Sequence, residues 1–331
     1  MERNPVYARI MASLSPWQIL ASVLPMYGLI ILGGCLRKAG ILQREADSSI
    51  MRLVINCLYP CLIIDKILAS EAVKDASLVA WTLPVGFLVI ILGLAISRLG
   101  GRLFRLPAGP DRNTFSCTTG IQNYGFAAVP IVMALFPEDL LGVLFVHSLG
   151  VEIALWTFGI ATLQGRLPRE FKSLLTAPVI AVVVGLVLVF TGLGDWLTQQ
   201  EALSPPLTIM NWLGGCSFPI ALMLVGATLS DELRASIPTL RVGVAATSIR
   251  LLILPCLIIG LIYLIPLPSD LKTILLVQAA MPSAVMPIVL SRIYGGNPAI
   301  AGQVVITTQV IGILTIPLWI SLGLQLIGSG S

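Results

Sequence analysis

TTGIQNYGFAAVPIVMALFP at residues 118–137 and VQAAMPSAVMPIVLSRIYGGN at residues 277–297 decide the fold. Both stretches are long enough to cross a bilayer, yet glycine and proline interrupt both of them. Proline removes a backbone N–H donor and clashes with the carbonyl group four residues earlier, so each stretch is predicted to break as a helix. Within a bilayer, broken backbone is tolerated only where it is buried in protein or lines a cavity. We therefore expect a ligand site where the two breaks meet.

The composition of the chain is that of an all-α integral membrane protein. Of its 331 residues, 56% are hydrophobic and 11% are charged, and the mean hydropathy is +0.96. One membrane span needs about 20 apolar residues. Ten apolar runs have this length and leave no room for a soluble domain: 17–37, 48–68, 77–98, 113–135, 140–163, 173–193, 206–229, 242–265, 271–293 and 300–326.

The charges of the loops predict the orientation in the membrane. Thirteen of the 20 Lys and Arg residues fall on loops of one side, and five fall on the other side. By the positive-inside rule, the richer side is cytoplasmic and both termini are non-cytoplasmic. The expected location is the plasma membrane, which would be the inner membrane in a bacterium. Since no run of five or more basic residues occurs, a nucleic-acid partner is excluded.

The two halves of the chain resemble each other. GLIILGGCL from Gly28 matches GLVLVFTGL from Gly185, and the segments around Pro130 and Pro287 match at the same offset. Each half holds five predicted spans, so the second copy must enter the membrane from the opposite side. The expected domains are a first repeat at 1–163, a connector at 164–172 and an inverted second repeat at 173–331. Inverted repeats of this kind build secondary transporters.

Four motifs resemble the auxin efflux carrier family, the PIN-like transporters. They are NCLYPCLII from Asn56, NYGFAAVP from Asn123, FPIALMLVGATL from Phe218 and the long stretch AMPSAVMPIVLSRIYGGNPAIAGQVVITTQVIGILTIPLW from Ala280. The resemblance implies a fold like that of bile acid:sodium symporters and NhaA-like antiporters, with broken helices 4 and 9 crossing. It also implies a scaffold of helices 1, 2, 6 and 7 and a transport domain of helices 3, 4, 5, 8, 9 and 10. The long cytoplasmic loop of many plant members is absent, as in bacterial-type members.

The substrate site is expected to include nine residues, eight of them in the two broken stretches. These residues are Asn56, Gln122, Asn123, Tyr124, Gly125, Pro130, Pro282, Ser283 and Pro287. The side-chain amide of Asn123 suits a carboxylate group, although it can instead cap the broken helix. Asn56 either faces the site or makes a helix–helix hydrogen bond.

Charged groups inside predicted spans are costly and mark function by default. Glu152 and Arg250 are interpreted as an ion pair or, alternatively, Glu152 exchanges a proton or binds a coupling cation with His147 as its relay. The broken stretches themselves contain no carboxylate between residues 113–135 or 271–293. An anionic substrate is therefore expected to meet no like charge there, which favours an organic anion over a cation.

The sequence thus predicts a secondary carrier that exports small organic anions by alternating access. Auxin-like aromatic acids and small dicarboxylates such as malonate are both consistent with the family. One alternative is a sodium-coupled symporter of the bile-acid type, with oxygen ligands from Gln278, Gln303, Thr307, Thr308 and Gln309. Another is a membrane sensor that binds the ligand without moving it. No enzymatic activity, cofactor or metal site is expected, coupling to protons or sodium is left open, and a homodimer through the scaffold is a candidate assembly.

Overall fold

The computed structural model of the protein describes residues 15–166, 175–235 and 239–329. Within these ranges the chain is almost entirely helical, and its only extended pairing is one isolated bridge. The residues before 15 and most of the expected connector at 164–172 lie outside the described residues. The all-helical prediction is confirmed for the part of the chain that is described.

The described residues form sixteen α-helices, numbered here in chain order. They are α1 (Pro16–Lys38), α2 (Arg44–Leu53), α3 (Tyr59–Leu68), α4 (Ala76–Leu103), α5 (Pro110–Gly120), α6 (Ala128–Leu135), α7 (Asp139–Ala154), α8 (Ile160–Gln164), α9 (Ala177–Phe190), α10 (Leu193–Gln199), α11 (Ser204–Ala235), α12 (Leu240–Ala246), α13 (Leu254–Leu264), α14 (Ser269–Ala280), α15 (Met286–Ile293) and α16 (Pro298–Ser329).

Six uninterrupted helical stretches are long and apolar enough to cross a membrane. They are Pro16–Lys38, Ala76–Leu103, Asp139–Gln164, Glu201–Leu233, Leu240–Leu264 and Pro298–Leu326. The bent pair of α9 and α10, whose axes differ by 86°, raises the number to seven if it is one span. All seven fall on apolar runs that the sequence predicts as spans.

Three π-helical turns join α-helices without ending the helical path. Val54–Leu58 joins α2 to α3, Leu155–Gly159 joins α7 to α8, and Thr247–Ile253 joins α12 to α13. A π turn inserts an extra residue into the helix, which redirects the side chains that follow, and such turns often occur at functional sites. In this fold each π turn contributes side chains near the centre of the helix bundle, as described below.

Small residues allow the closest helix contacts. Gly33 of α1 lies against the backbone of Met223 on α11, and Gly226 of α11 lies against the backbone of Ile30 on α1. A Cβ atom at either glycine would overlap a carbonyl oxygen of the partner helix. Small residues let transmembrane helices approach closely, and the resulting van der Waals contact stabilises their association in lipid.

The two proline-containing stretches break where the sequence predicts. In the first, α5 ends at Gly120 and α6 begins at Ala128; in the second, α14 ends at Ala280 and α15 begins at Met286. The isolated antiparallel bridge joins the two breaks through Gln122 and Ser283. The breaks therefore lie directly against each other, which confirms the expected meeting point.

Candidate functional site

Backbone hydrogen bonds hold the two breaks together. The amide of Asn123 donates to the carbonyl oxygen of Pro282 at 2.8 Å, and the amide of Ala284 donates to the carbonyl oxygen of Ile121 at 2.9 Å. Buried backbone groups that leave a helix need other partners. Each break supplies those partners for the other, so the crossing is a single hydrogen-bonded unit.

A cavity of about 120 Å³ opens beside this crossing. Its wall comes from the two breaks, two of the π turns, α3, α7 and the beginning of α9. The lining residues are Ile55, Tyr59, Asn123, Tyr124, Gly125, Phe126, Glu152, Leu155, Trp156, Thr176, Pro178, Ala284, Val285 and Met286. A mainly apolar wall with a few convergent polar groups is typical of small-molecule sites.

Glu152 is the acidic residue of this cavity. One carboxylate oxygen accepts a hydrogen bond from the Tyr124 hydroxyl at 2.6 Å, and the other accepts from Trp156 Nε1 at 2.7 Å. The π turn that begins at Leu155 carries Trp156 four residues after Glu152. Two neutral donors thus hold a carboxylate at the cavity wall.

Asn123 has two roles in the geometry of the first break. Its Oδ1 accepts a hydrogen bond from the amide of Ala127 at 3.3 Å, just before α6 begins. Its side chain also lines the cavity, and no acceptor among the described residues takes a hydrogen bond from its Nδ2. The expected capping contact therefore exists, and it leaves the donor half of the amide for a ligand.

Two helices begin at the cavity. Gly125 and Phe126 precede α6, and Val285 and Met286 lie at the start of α15. Pro287 fits the first turn of α15 because an N–H group there has no partner within the helix. The amino ends of helices carry partial positive charge and favour anions. The positive amino ends of α6 and α15 are consequently both directed towards the cavity.

Aromatic packing holds Tyr59 in the wall of the cavity. Tyr59 of α3 lies 6.4 Å from Phe126, 5.8 Å from Phe145 and 6.0 Å from Phe218, measured between ring centroids. A Cβ atom at Gly125 would lie 3.2 Å from the Tyr59 hydroxyl oxygen. Glycine at this position therefore keeps the first break close to the Tyr59 ring.

The other predicted substrate residues do not line the cavity. Gln122 and Ser283 are fully buried, and neither amide atom of Gln122 nor the Ser283 hydroxyl has a hydrogen-bond partner in the described structure. Pro130, Pro282 and Pro287 shape the breaks but do not line the cavity. Of the nine expected residues, Asn123, Tyr124 and Gly125 are the ones that line the cavity.

Asn56 is exposed and outside the cavity. Its Nδ2 donates to the Arg52 carbonyl oxygen at 2.9 Å, one turn earlier in the helix. Its neighbour Ile55 lines the cavity instead. The π turn over Val54–Leu58 sets this orientation because it shifts the side chains relative to a regular helix.

Arg250 does not form the expected pair with Glu152. It is 1% exposed, and its Nη2 donates to the carbonyl oxygens of Gln278 and Ala279 at 3.5 and 3.4 Å. These carbonyls belong to the last turn of α14, where helical N–H donors run out. The Gln278 oxygen also accepts a hydrogen bond from the Met281 amide at 3.3 Å. The guanidinium therefore satisfies a helix end, while the carboxylate of Glu152 is bonded to Tyr124 and Trp156.

His147 is likewise separate from Glu152. Its ring is fully buried near Gly86 of α4, and neither ring nitrogen has a hydrogen-bond partner among the described residues. The proposed relay from His147 to Glu152 is therefore not what the structure contains. The expectation that an anion meets no like charge is also wrong at the level of the cavity, because Glu152 reaches it from α7.

Sequence reasoning missed Tyr59, Leu155 and Trp156, which lie outside the broken stretches. Leu155 and Trp156 lie in a π turn, which hydropathy does not reveal. An aromatic residue four positions after an intramembrane carboxylate is a usable signal, since that spacing brings the two side chains together on one face.

Comparison with known proteins identifies the family of the chain. A profile of the family described as membrane transport protein matches residues 18–172 and 169–320. The chain belongs to this membrane transport family, which includes the auxin efflux and PIN-like carriers. An uncharacterized transporter of Methanothermobacter thermautotrophicus is 24% identical over 304 residues, which cover 90% of this chain and 96% of the relative.

A second archaeal relative supports the same assignment. It is an uncharacterized transporter of Methanocaldococcus jannaschii, 26% identical over 300 residues that cover 88% of this chain and 94% of the relative. The similarity thus spans both broken stretches rather than one motif. This family member is a multi-pass membrane transport protein.

Proposed function

We propose that this family member is a secondary carrier that exports small organic anions by alternating access at the crossing of the two breaks. The observation that carries the proposal is the cavity in which Asn123 and the positive ends of α6 and α15 converge. A carboxylate group suits this combination because it accepts hydrogen bonds from an amide and is stabilised by helix amino ends.

The proposed fold has ten spans in two inverted repeats. The interrupted helices supply the remaining spans: α2 with α3, α5 with α6, and α14 with α15. Helix contacts support the repeat because α1 packs on α11 while α9 packs on α3, and α4 packs on α7 while α16 packs on α12. Each pair of contacts exchanges corresponding helices of the two halves, as a pseudo-two-fold relation requires.

The proposed moving parts follow the same division. The scaffold comprises the spans of α1, α2–α3, α9 and α11, and the remaining spans form the transport domain. The cavity lies between the two groups, since Ile55, Tyr59 and Pro178 belong to the first group and the breaks and Glu152 to the second. We propose that both termini are non-cytoplasmic in a plasma membrane. In this orientation α9 begins on the cytoplasmic side, so the cavity, which Thr176 lines at the start of α9, would face the cytoplasm. The proposed carrier is a homodimer whose two copies associate through their scaffolds.

A sodium-coupled symporter is the second candidate. Unpartnered oxygens of Gln278, Ser283 and Gln309 are buried at the crossing and are of the type that binds sodium. Two other expected ligands do not belong to this group, because Gln303 accepts hydrogen bonds from Thr239 and Thr307 bonds to the Gln303 carbonyl oxygen. Arg250 already provides a fixed positive charge beside Gln278, which favours transport without sodium.

Flux measurements in liposomes test the proposal. Purified protein is reconstituted with internal malonate or indole-3-acetate, and uptake of the same radiolabelled anion is followed as counterflow against protein-free liposomes. We expect counterflow for at least one anion. Specific binding without counterflow would instead support the sensor, and counterflow that requires sodium would support the symporter.

A further inference from the structure

The carboxylate of Glu152 lies in the cavity that is proposed to bind an organic anion, and the inference below rests on that proposed function. Among the described residues, the wall that Glu152 shares with Asn123 contains no Lys, Arg or His residue. Both carboxylate oxygens accept hydrogen bonds from neutral groups, the Tyr124 hydroxyl and the Trp156 indole. No described residue of the lining therefore carries a positive charge that would neutralise the carboxylate when it is ionised.

The titratable side chains that line the cavity with Glu152 are two tyrosines, whose hydroxyl groups are neutral near pH 7. Tyr124 comes from the first break, and Tyr59 comes from α3. Of the other helices packed against α7, α6 and α9 contain no acidic or basic residue. The charged residues of α4, α3 and α14 lie towards the helix ends: Arg98 and Arg102 in the last turns of α4, Asp65 and Lys66 in the last turn of α3, and Asp270 and Lys272 in the first turn of α14. On the same helix, His147 is directed towards α4 rather than into the cavity.

An ionised Glu152 and a bound anion would repel each other strongly. Two negative charges about 6 Å apart at an effective dielectric constant of about 20 weaken binding by about a hundredfold. Protonation removes this repulsion, and it also gives the carboxyl group an O–H donor for the substrate carboxylate. The proton comes from the solvent, and no other bond is made or broken.

We infer that Glu152 takes up one proton when an organic anion binds, so that the anion and the proton cross the membrane together. One negative charge on the substrate is then balanced by the proton, and Glu152 is neutral in the loaded state. On the other side, release of the anion restores the ionised carboxylate and frees the proton. Glu152 would thus determine both the pH dependence and the charge carried in each cycle.

Calorimetry tests this directly. Binding of malonate and of indole-3-acetate to detergent-purified protein is measured in buffers of different ionisation enthalpy, at pH values where both probes are fully ionised. For the wild type we expect up to one proton taken up per anion and an affinity that falls about tenfold per pH unit once Glu152 is ionised. For Glu152→Gln we expect binding without proton uptake and an affinity independent of pH.

Two further variants complete the test. Glu201→Gln is the matched control, because this exposed glutamate begins the stretch Glu201–Leu233 and does not line the cavity, and it should behave as the wild type. Tyr124→Phe retains the carboxylate but removes a donor to its ionised form, so the midpoint of proton uptake should move to higher pH. This variant keeps the test decisive if Glu152→Gln does not fold.

The outcomes separate the inference from the proposed function. Anion binding by the wild type without proton uptake, or with an affinity that rises with pH, would overturn the role of Glu152 and leave the carrier proposal standing. Absence of binding by either anion at every pH would overturn the proposed substrate class itself, and the inference with it.

Discussion

The crossing has an accessible face, where Glu152 lines the cavity, and a packed face, where Arg250 is buried. The two side chains carry opposite charges in different surroundings. Glu152 lies at a cavity and is held by side chains that are neutral donors. Arg250 lies in the packed interior and is held by backbone carbonyls at the end of α14. Each charged side chain has its own hydrogen-bond partners nearby, so neither depends on an ion pair with the other. The accessible charge is available to a ligand or a proton, while the packed charge maintains the break.

The largest expected effect comes from reversing the packed charge. Arg250→Glu would place a carboxylate against the carbonyl oxygens of Gln278 and Ala279 and should lower the free energy of unfolding by about 3 kcal/mol or more. Size-exclusion chromatography and thermal unfolding in detergent measure this loss. Arg250→Lys is the matched control that retains the charge, and Glu152→Gln should remain folded. Equal losses for Arg250→Glu and Glu152→Gln would contradict the contrast between the two faces.

Substitutions at Asn123 distinguish its capping contact with Ala127 from its proposed contact with the ligand. Asn123→Asp keeps an oxygen acceptor for the Ala127 amide but replaces the amide donor by a negative charge, so anion counterflow should fall by about a hundredfold with little change in unfolding temperature. Asn123→Ala should lose the cap as well, at about 1 kcal/mol. Normal counterflow in Asn123→Asp would mean that Asn123 is only a cap.

A smaller change is expected from the indole donor at the accessible face. Trp156→Phe retains the aromatic ring but removes the hydrogen bond to Glu152, which destabilises the ionised carboxylate by about 1.5 kcal/mol. The pH at which anion affinity begins to fall should therefore rise by about one unit. Trp196→Phe, at an exposed tryptophan, provides the control. An unchanged pH profile in Trp156→Phe would show that this hydrogen bond does not control proton uptake.

The smallest effect is expected from sodium. Because Arg250 supplies a fixed positive charge at the crossing, replacing sodium by choline should leave the counterflow rate unchanged. The measurement is made at constant ionic strength, so screening does not vary. A rate that falls to the level of protein-free liposomes would contradict the structural role of Arg250 and support the symporter.

The sequence was sufficient to predict the membrane class and both breaks because these depend on local properties. Apolar runs predict spans, and prolines such as Pro130 and Pro287 predict interruptions whatever the tertiary structure. The meeting of the two breaks followed from the internal repeat. The capping contact of Asn123 also has a local cause, since its acceptor is the amide of Ala127 four residues later.

The wall of the cavity was not predictable in the same way. Ile55 and Leu155 of the wall lie in π turns, as does Arg250 in the packed interior. An extra residue in a turn changes which side of a helix faces the crossing. The expected pair of Glu152 and Arg250 failed because helix-end carbonyls and neutral donors can each satisfy a buried charge. Which of these partners lies nearby depends on packing between distant segments.

Accessibility of the cavity from both sides of the membrane tests the central claim most directly. Leu155→Cys, in a background where the six native cysteines are replaced, is labelled in membrane vesicles of either orientation with a membrane-impermeant maleimide. Alternating access predicts labelling from both sides, with protection by malonate or indole-3-acetate in each case. Labelling from one side only, in a protein that still catalyses counterflow, would contradict a transport site at the crossing.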